Sequence, residues 1–287
     1  MSPVTRCHLE IDSYTAADGH RLAVHIWETS AAPRAEVVFL HGISSHAGWY
    51  NRGNEQLAAS GIQVHFLDRR GSGLNTENRG DIDRWQTWVS DVVVYLKQLR
   101  NDSAKPAVLC GISWGGKLAA AVARSHPELI GALGLICPGL YSPFEPGIVK
   151  RLVLRVPLTR RLQRRRIAIP LRDPALFTDN PPWQAFIAND PRTLRHITWR
   201  FAREDRVLSR YARHAAPHLS MPLLLMLAGR DRIIDNRRVR DFYDRASSAN
   251  KTLVEYPEAG HTLEFEPDPQ AYFNDLANWI VRAMSAI

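Results

Sequence analysis

The sequence predicts an α/β domain, a mainly parallel sheet with helices on both faces, interrupted by one helical insertion. Three observations carry this. Continuous apolar runs of strand length occur at Glu36–His41, Ile62–Leu67, Pro106–Cys110, Ala132–Cys137 and Pro222–Leu227, as expected of strands covered on both sides. Stretches with helical spacing alternate with them, and that alternation builds parallel sheets. At Gly111-Ile112-Ser113-Trp114-Gly115-Gly116 a buried strand turns directly into a helix of small side chains, Lys117–Ala123.

Taken in order, Val4–Ser13 alternates weakly, Ala17-Asp18-Gly19 is a tight turn and Arg21–Trp27 alternates again, which predicts an opening antiparallel hairpin. Glu36–His41 is a central strand. Tyr50–Ser60 reads as a helix with Gly61 at its C-cap. Ile62–Leu67 leads into the glycine-rich turn Asp68–Gly73. Trp85, Trp88, Val89, Val92, Tyr95, Leu96 and Leu99 share one face of an amphipathic helix. After Pro138 the pattern breaks. Residues 140–217 hold basic amphipathic pieces separated by prolines, with no clear strand, and read as a helical insertion. Residues 1–139 and 218–287 form the core. Sheet grammar resumes at Leu223 and again at Thr252–Tyr256, and Gln270–Met284 is the closing helix.

The chain has 287 residues, 45% hydrophobic and 23% charged, an ordinary globular composition. Its first residues lack the apolar core of a secretory signal, and the run Pro222–Ala228 is too short to cross a bilayer. Of three cysteines, Cys110 and Cys137 fall in buried strands, which predicts reduced thiols and a cytoplasmic location. Net charge is +8, yet Gly147–Arg172 alone holds nine basic residues and no acidic one, so the rest of the chain sums to −1. Such a surface suits an anionic membrane or an anionic substrate, or is simply a solvated helix face. No aromatics interleave with the arginines, so nucleic acid is not an expected partner.

The turn at Ser113 is the context of a nucleophile elbow. A serine hydroxyl needs a base within hydrogen-bond reach, and the base needs a third group to hold its tautomer. Ligands of open α/β sheets sit at the carboxyl ends of strands. Asp231, in Gly229-Arg230-Asp231, follows the Leu223–Ala228 strand, and His261, in Gly260-His261-Thr262, follows Thr252–Tyr256. Asp235 and Asp205 are competing acids, with Asp235 reading rather as a helix start. His41, His46 and His65 read as loop-shaping or core groups. Two backbone N–H groups must receive the oxyanion. Trp114 supplies one, and Ile43, in the loop after Glu36–His41, is the best candidate for the other.

His41-Gly42-Ile43-Ser44-Ser45-His46, Asp68–Gly73, Gly111–Gly116, Gly229–Arg232 and Gly260-His261 together resemble the α/β-hydrolase fold over nearly the whole chain. The similar branch includes monoacylglycerol lipases, bacterial lysophospholipase-like proteins and serine aminopeptidase-like members. The resemblance implies an eight-stranded sheet, a cap at 140–217, no cofactor and no metal. It makes Ser113, Asp231 and His261 the triad, and Ile43 and Trp114 the oxyanion residues. Trp114 departs from the smaller residue common there, and its indole is expected to narrow the acyl pocket. The expected reaction is hydrolysis, through an acyl-enzyme, of a carboxylic ester that is lipid-like, a lysophospholipid or monoacylglycerol, or another small hydrophobic ester. Phe144, Phe177, Trp183, Phe186 and Trp199 are the candidate substrate-lining residues, with cap-to-core packing as their other reading. The same triad also serves amides, thioesters and carbon–carbon bonds, and a receptor without turnover is the remaining alternative.

Overall fold

The computed structural model describes residues 8–103, 106–144 and 159–285. Val4–Cys7 of the predicted opening strand, and Lys150, Arg151 and Arg155 of the basic segment, lie outside the described residues.

Strands β1 (His8–Thr15) and β2 (Arg21–Glu28) form the antiparallel hairpin, and β2 pairs antiparallel with the later strand Ile62–Leu67. Then come β3 (Ala35–Leu40), α1 (Asn51–Ala59), β4 (Ile62–Leu67), α2 (Trp85–Asp102), β5 (Ala107–Ile112), α3 (Trp114–Ser125) and β6 (Ile130–Ile136). Next come α4 (Arg160–Gln163), β7 (Arg166–Ala168), α5 (Pro181–Asn189), β8 (His196–Thr198) and α6 (Trp199–Arg213). The core closes with β9 (Leu223–Ala228), α7 (Asn236–Asp244), β10 (Lys251–Tyr256) and α8 (Gln270–Ser285).

One eight-stranded sheet runs β1-β2-β4-β3-β5-β6-β9-β10, parallel from β4 to β10. The parallel strands place the loops after β3, β5, β9 and β10 along one edge, and the candidate site lies there. Helix α1 packs with α8 and α2 with α3 as the layers that flank the sheet. Ala119, Ala120, Ala121 and Ala123 of α3 are fully buried, and their small side chains let the helix sit close on β5 and β6.

The stretch between β6 and β9 corrects one expectation, that it holds no strand. It contains a two-stranded antiparallel sheet, with Ile167 opposite Ile197. Three-residue strands are too short to register an alternating pattern. Helix α6 lies on α3 and α2, beside the elbow. Among the described residues, no helix is long and apolar enough to cross a membrane.

Candidate active site

Ser113 stands between β5 and α3 with φ 53° and ψ −119°, a conformation that costs an L-residue about 1–3 kcal/mol. The surroundings hold it there. Its N–H donates to the Ile136 carbonyl at 2.9 Å, and its carbonyl accepts from Gly116 N at 2.9 Å and Gly139 N at 2.6 Å. A Cβ on Gly115 would run into the Leu40 carbonyl, and one on Gly111 into the Gly115 carbonyl. Only glycine fits at either place. The hydroxyl is thereby presented at the N-terminus of a twelve-residue helix, where peptide dipoles favour negative charge.

Asp231 and His261 reach this hydroxyl from the loops after β9 and β10, which are tied together by Gly229 N to Tyr256 O and Arg230 N to Ala259 O. The Asp231 Oδ1 atom accepts from the backbone N–H groups of Ile233 (2.8 Å) and Ile234 (2.9 Å), which orients the carboxylate. Its Oδ2 is 2.7 Å from His261 Nδ1. A carboxylate only accepts, so Nδ1 carries the proton and Nε2, 2.9 Å from Ser113 Oγ, accepts from the hydroxyl. Ser113 and His261 are both buried. The competing acids are occupied elsewhere. Asp235 is the N-cap of α7 and accepts from Arg238 N at 3.1 Å, while Asp205 on α6 accepts from Trp114 Nε1 at 2.5 Å and Lys117 Nζ at 2.9 Å.

The loop after β3 lies against the serine, since a Cβ on Gly42 would be 3.4 Å from Ser113 Cβ. The backbone N–H groups of Ile43 and Trp114 make no hydrogen bond among the described residues. His41 shapes this loop. Its Nε2 accepts from Arg69 N at 2.9 Å, so Nδ1 bears the proton and donates to the Gly42 carbonyl at 2.7 Å. Burial and the neighbouring Arg69 push its pKa down to about 3, so it is neutral at physiological pH. The Trp114 indole differs from expectation. It packs edge-on to Trp88 and donates to Asp205, directed toward α6, because a buried indole N–H needs an acceptor.

Of the five candidate lining residues, the structure brings three together. Phe177 sets its ring edgewise to His261 at 6.1 Å, and Trp183 stacks on Phe265 at 4.2 Å. Phe186 meets Trp49, Trp183 and Phe265. Phe144 and Trp199 are not part of this cluster and make no ring contact among the described residues. Phe144 is exposed, and α6 buries the face that carries Phe201, leaving Trp199 half-buried on another side. Trp49 and Phe265 were not singled out from the sequence, although each lies in a loop that also carries a candidate site residue.

Hydrogen bonds stitch the aromatic segment to both neighbouring loops. Thr262 N donates to the Phe177 carbonyl at 2.8 Å, and Asn180 Nδ2 to the Phe265 carbonyl at 3.1 Å. Asp190 accepts from His46 Nε2 (3.0 Å), Trp49 Nε1 (2.8 Å) and Thr193 Oγ1 (2.7 Å), and Leu194 N donates to Ser44 O at 2.8 Å. Burial raises the Asp190 pKa, but these donors, His46 first, outweigh it and hold the carboxyl well below its usual range.

Cys137, Asp231 and His261 form the one group among the described residues whose three ligand-type atoms lie within 4.8 Å of one another. A cation there would compete with the Asp231–His261 hydrogen bond, and burial pushes the Cys137 thiol well above its ordinary value. These residues are therefore a poor fit to a resident metal.

A serine on a strand–helix elbow, in line with a histidine and a carboxylate from later strands of such a sheet, defines an α/β-hydrolase of the serine hydrolase class. The chain belongs to the Hydrolase_4 family (serine aminopeptidase, S33), whose model matches residues 31–268. It is 27% identical over 274 residues to a monoacylglycerol lipase of Mycolicibacterium smegmatis, covering 94% of this chain and 96% of that one. It is 26% identical to the monoglyceride lipase of Mus musculus, covering 94% and 90%. The crystal structure of Paleococcus ferrophilus monoacylglycerol lipase superposes with a TM-score of 0.83 at 23% identity, over 92% of this chain and all of that one.

Proposed function

We propose that this serine hydrolase cleaves esters of a hydrophobic acyl chain, a monoacylglycerol or a lysophospholipid, through an acyl-enzyme. The observation that carries the reading is the unbroken line from Asp231 through His261 to Ser113 Oγ, with an aromatic cluster against the histidine. His261 Nε2 takes the hydroxyl proton as Ser113 Oγ attacks the acyl carbon, and Asp231 steadies the imidazolium that forms. The N–H groups of Ile43 and Trp114 receive the oxyanion, each donor being worth about 3–4 kcal/mol at the transition state. His261 returns the proton to the leaving alcohol, then activates a water that releases the acid. Phe177, Trp183 and Phe186, with Trp49 and Phe265, supply apolar surface for the acyl chain.

The test is a profile of the purified enzyme on glycerol monoesters, lysophospholipids and p-nitrophenyl esters of graded length, beside aminoacyl p-nitroanilides. Esters of medium to long chain are expected to have the highest kcat/KM. Equal or faster cleavage of the anilides would transfer the assignment to amides.

Residues 140–217 act in this proposal as a cap, and its basic surface as a dock for anionic membranes. Arg161, Arg164, Arg165, Arg166 and Arg172 are exposed, as is Leu162 beside them. Co-sedimentation is expected with vesicles containing phosphatidylglycerol at low salt, and much less with neutral vesicles or at high salt. Binding that ignores both lipid charge and salt refutes docking by charge. The buried free thiols of Cys110 and Cys137 support a cytoplasmic enzyme.

A further inference from the structure

Arg69 follows Asp68 in the turn after β4, and its guanidinium is buried. Burial works against its charge, with Asp205 and Asp68 opposing that effect. Yet among the described residues it forms no ion pair, as a purely structural buried arginine would be expected to do. Its two terminal amino groups bind one loop instead, while its buried Nε has no hydrogen-bond partner among the described residues. Its Nη1 donates to the Gly42 carbonyl at 3.2 Å and its Nη2 to the Ile43 carbonyl at 2.9 Å. The same guanidinium lies over the Trp114 indole, 4.5 Å from the ring centroid. One cation thus touches both stretches that carry the proposed oxyanion donors.

We infer that Arg69 is a positioning residue for the oxyanion hole, aiming the Ile43 N–H by gripping the carbonyls of Gly42 and Ile43. The inference rests on the acyl-enzyme reading above. The C=O of Gly42 and the N–H of Ile43 belong to one planar trans peptide and point in opposite directions. With the Gly42 oxygen held by His41 Nδ1 and Arg69 Nη1 together, that plane cannot turn, and the N–H stays directed away from both donors. Donation to the carbonyl also polarises the amide and strengthens its N–H as a donor. Lysine cannot replace this arrangement, because a point charge on a flexible stem does not serve two carbonyls while stacking flat on an indole.

The test uses the full chain with Arg69→Met and Arg69→Lys. Four quantities are read: kcat and KM on a p-nitrophenyl ester, affinity for an alkyl trifluoromethyl ketone that adds to Ser113, and affinity for the matching alcohol that does not. Direct loss of an oxyanion donor lowers kcat about 10²–10³-fold, so loss of its support is expected to lower kcat about 10–100-fold in Arg69→Met. KM and alcohol affinity should stay near the wild-type values, while ketone affinity falls in step with kcat. Arg69→Lys, which keeps the charge, decides the matter if the methionine variant does not fold, and it too is expected to lose kcat and ketone affinity together. Variants that fold with unchanged kcat and ketone affinity overturn the inference, as do losses shared equally by alcohol and ketone. A wild-type enzyme that neither cleaves esters nor reacts with a fluorophosphonate at Ser113 overturns the acyl-enzyme reading instead, and that is measured first.

Discussion

Replacing His261 with Ala is expected to lower kcat for a p-nitrophenyl ester about 10⁶-fold, a loss similar to that of Ser113→Ala. The hydroxyl has a single proton acceptor, His261 Nε2 at 2.9 Å, and alanine removes it. Asp231→Asn should cost about 10⁴-fold, because an amide donating to Nδ1 would turn the imidazole to the wrong tautomer. The three groups act as a unit, so the double variant Ser113→Ala/His261→Ala is expected to be no slower than either single one. Steady-state kinetics on variants checked for native circular dichroism decide this. A folded His261→Ala enzyme within a hundredfold of wild type would remove the histidine from the mechanism.

Asp68→Ala is expected to destabilise the fold by about 3–5 kcal/mol, read by urea denaturation. Asp68 is buried at the end of β4 and accepts from Ala47 N (2.9 Å), Leu74 N (2.8 Å) and His25 Nε2 (3.2 Å). Alanine would leave all three donors without this acceptor. Burial raises the Asp68 pKa, but the hydrogen bonds, that from His25 first, outweigh it and hold the carboxyl well below its usual range. The folded state therefore ionises it more readily than the unfolded chain does. Its contribution is complete above about pH 4 and is lost as pH falls below that value. Wild-type stability should fall on acidification more steeply than that of Asp68→Ala. Parallel pH profiles of the two would show that the carboxylate is not linked to folding.

The sheet was legible because its central strands are buried on both faces and write continuous apolar runs, while edge strand β10 alternates between exposed and half-buried residues. Ser113, Asp231 and His261 could be nominated because each follows a strand at the edge where parallel strands end. Other features leave no local trace. The bonds from His46 and Trp49 to Asp190 join residues far apart in the chain, and no spacing rule predicts them. Arg69 and Arg70 are adjacent and alike in sequence. Only the fold sends one to the loop carbonyls and the other to Asp18 and Asp91.

Asp190 and Phe177 bind the aromatic segment to the loop that ends β3 and to the loop that bears His261. Under the proposed function, acyl-chain preference and turnover are consequently not independent traits of this enzyme. A substitution that reshapes the apolar wall also shifts the supports of the groups that break the bond. Evolution of a new chain-length preference here would proceed by paired changes, one in the wall and one restoring the register of the reacting atoms.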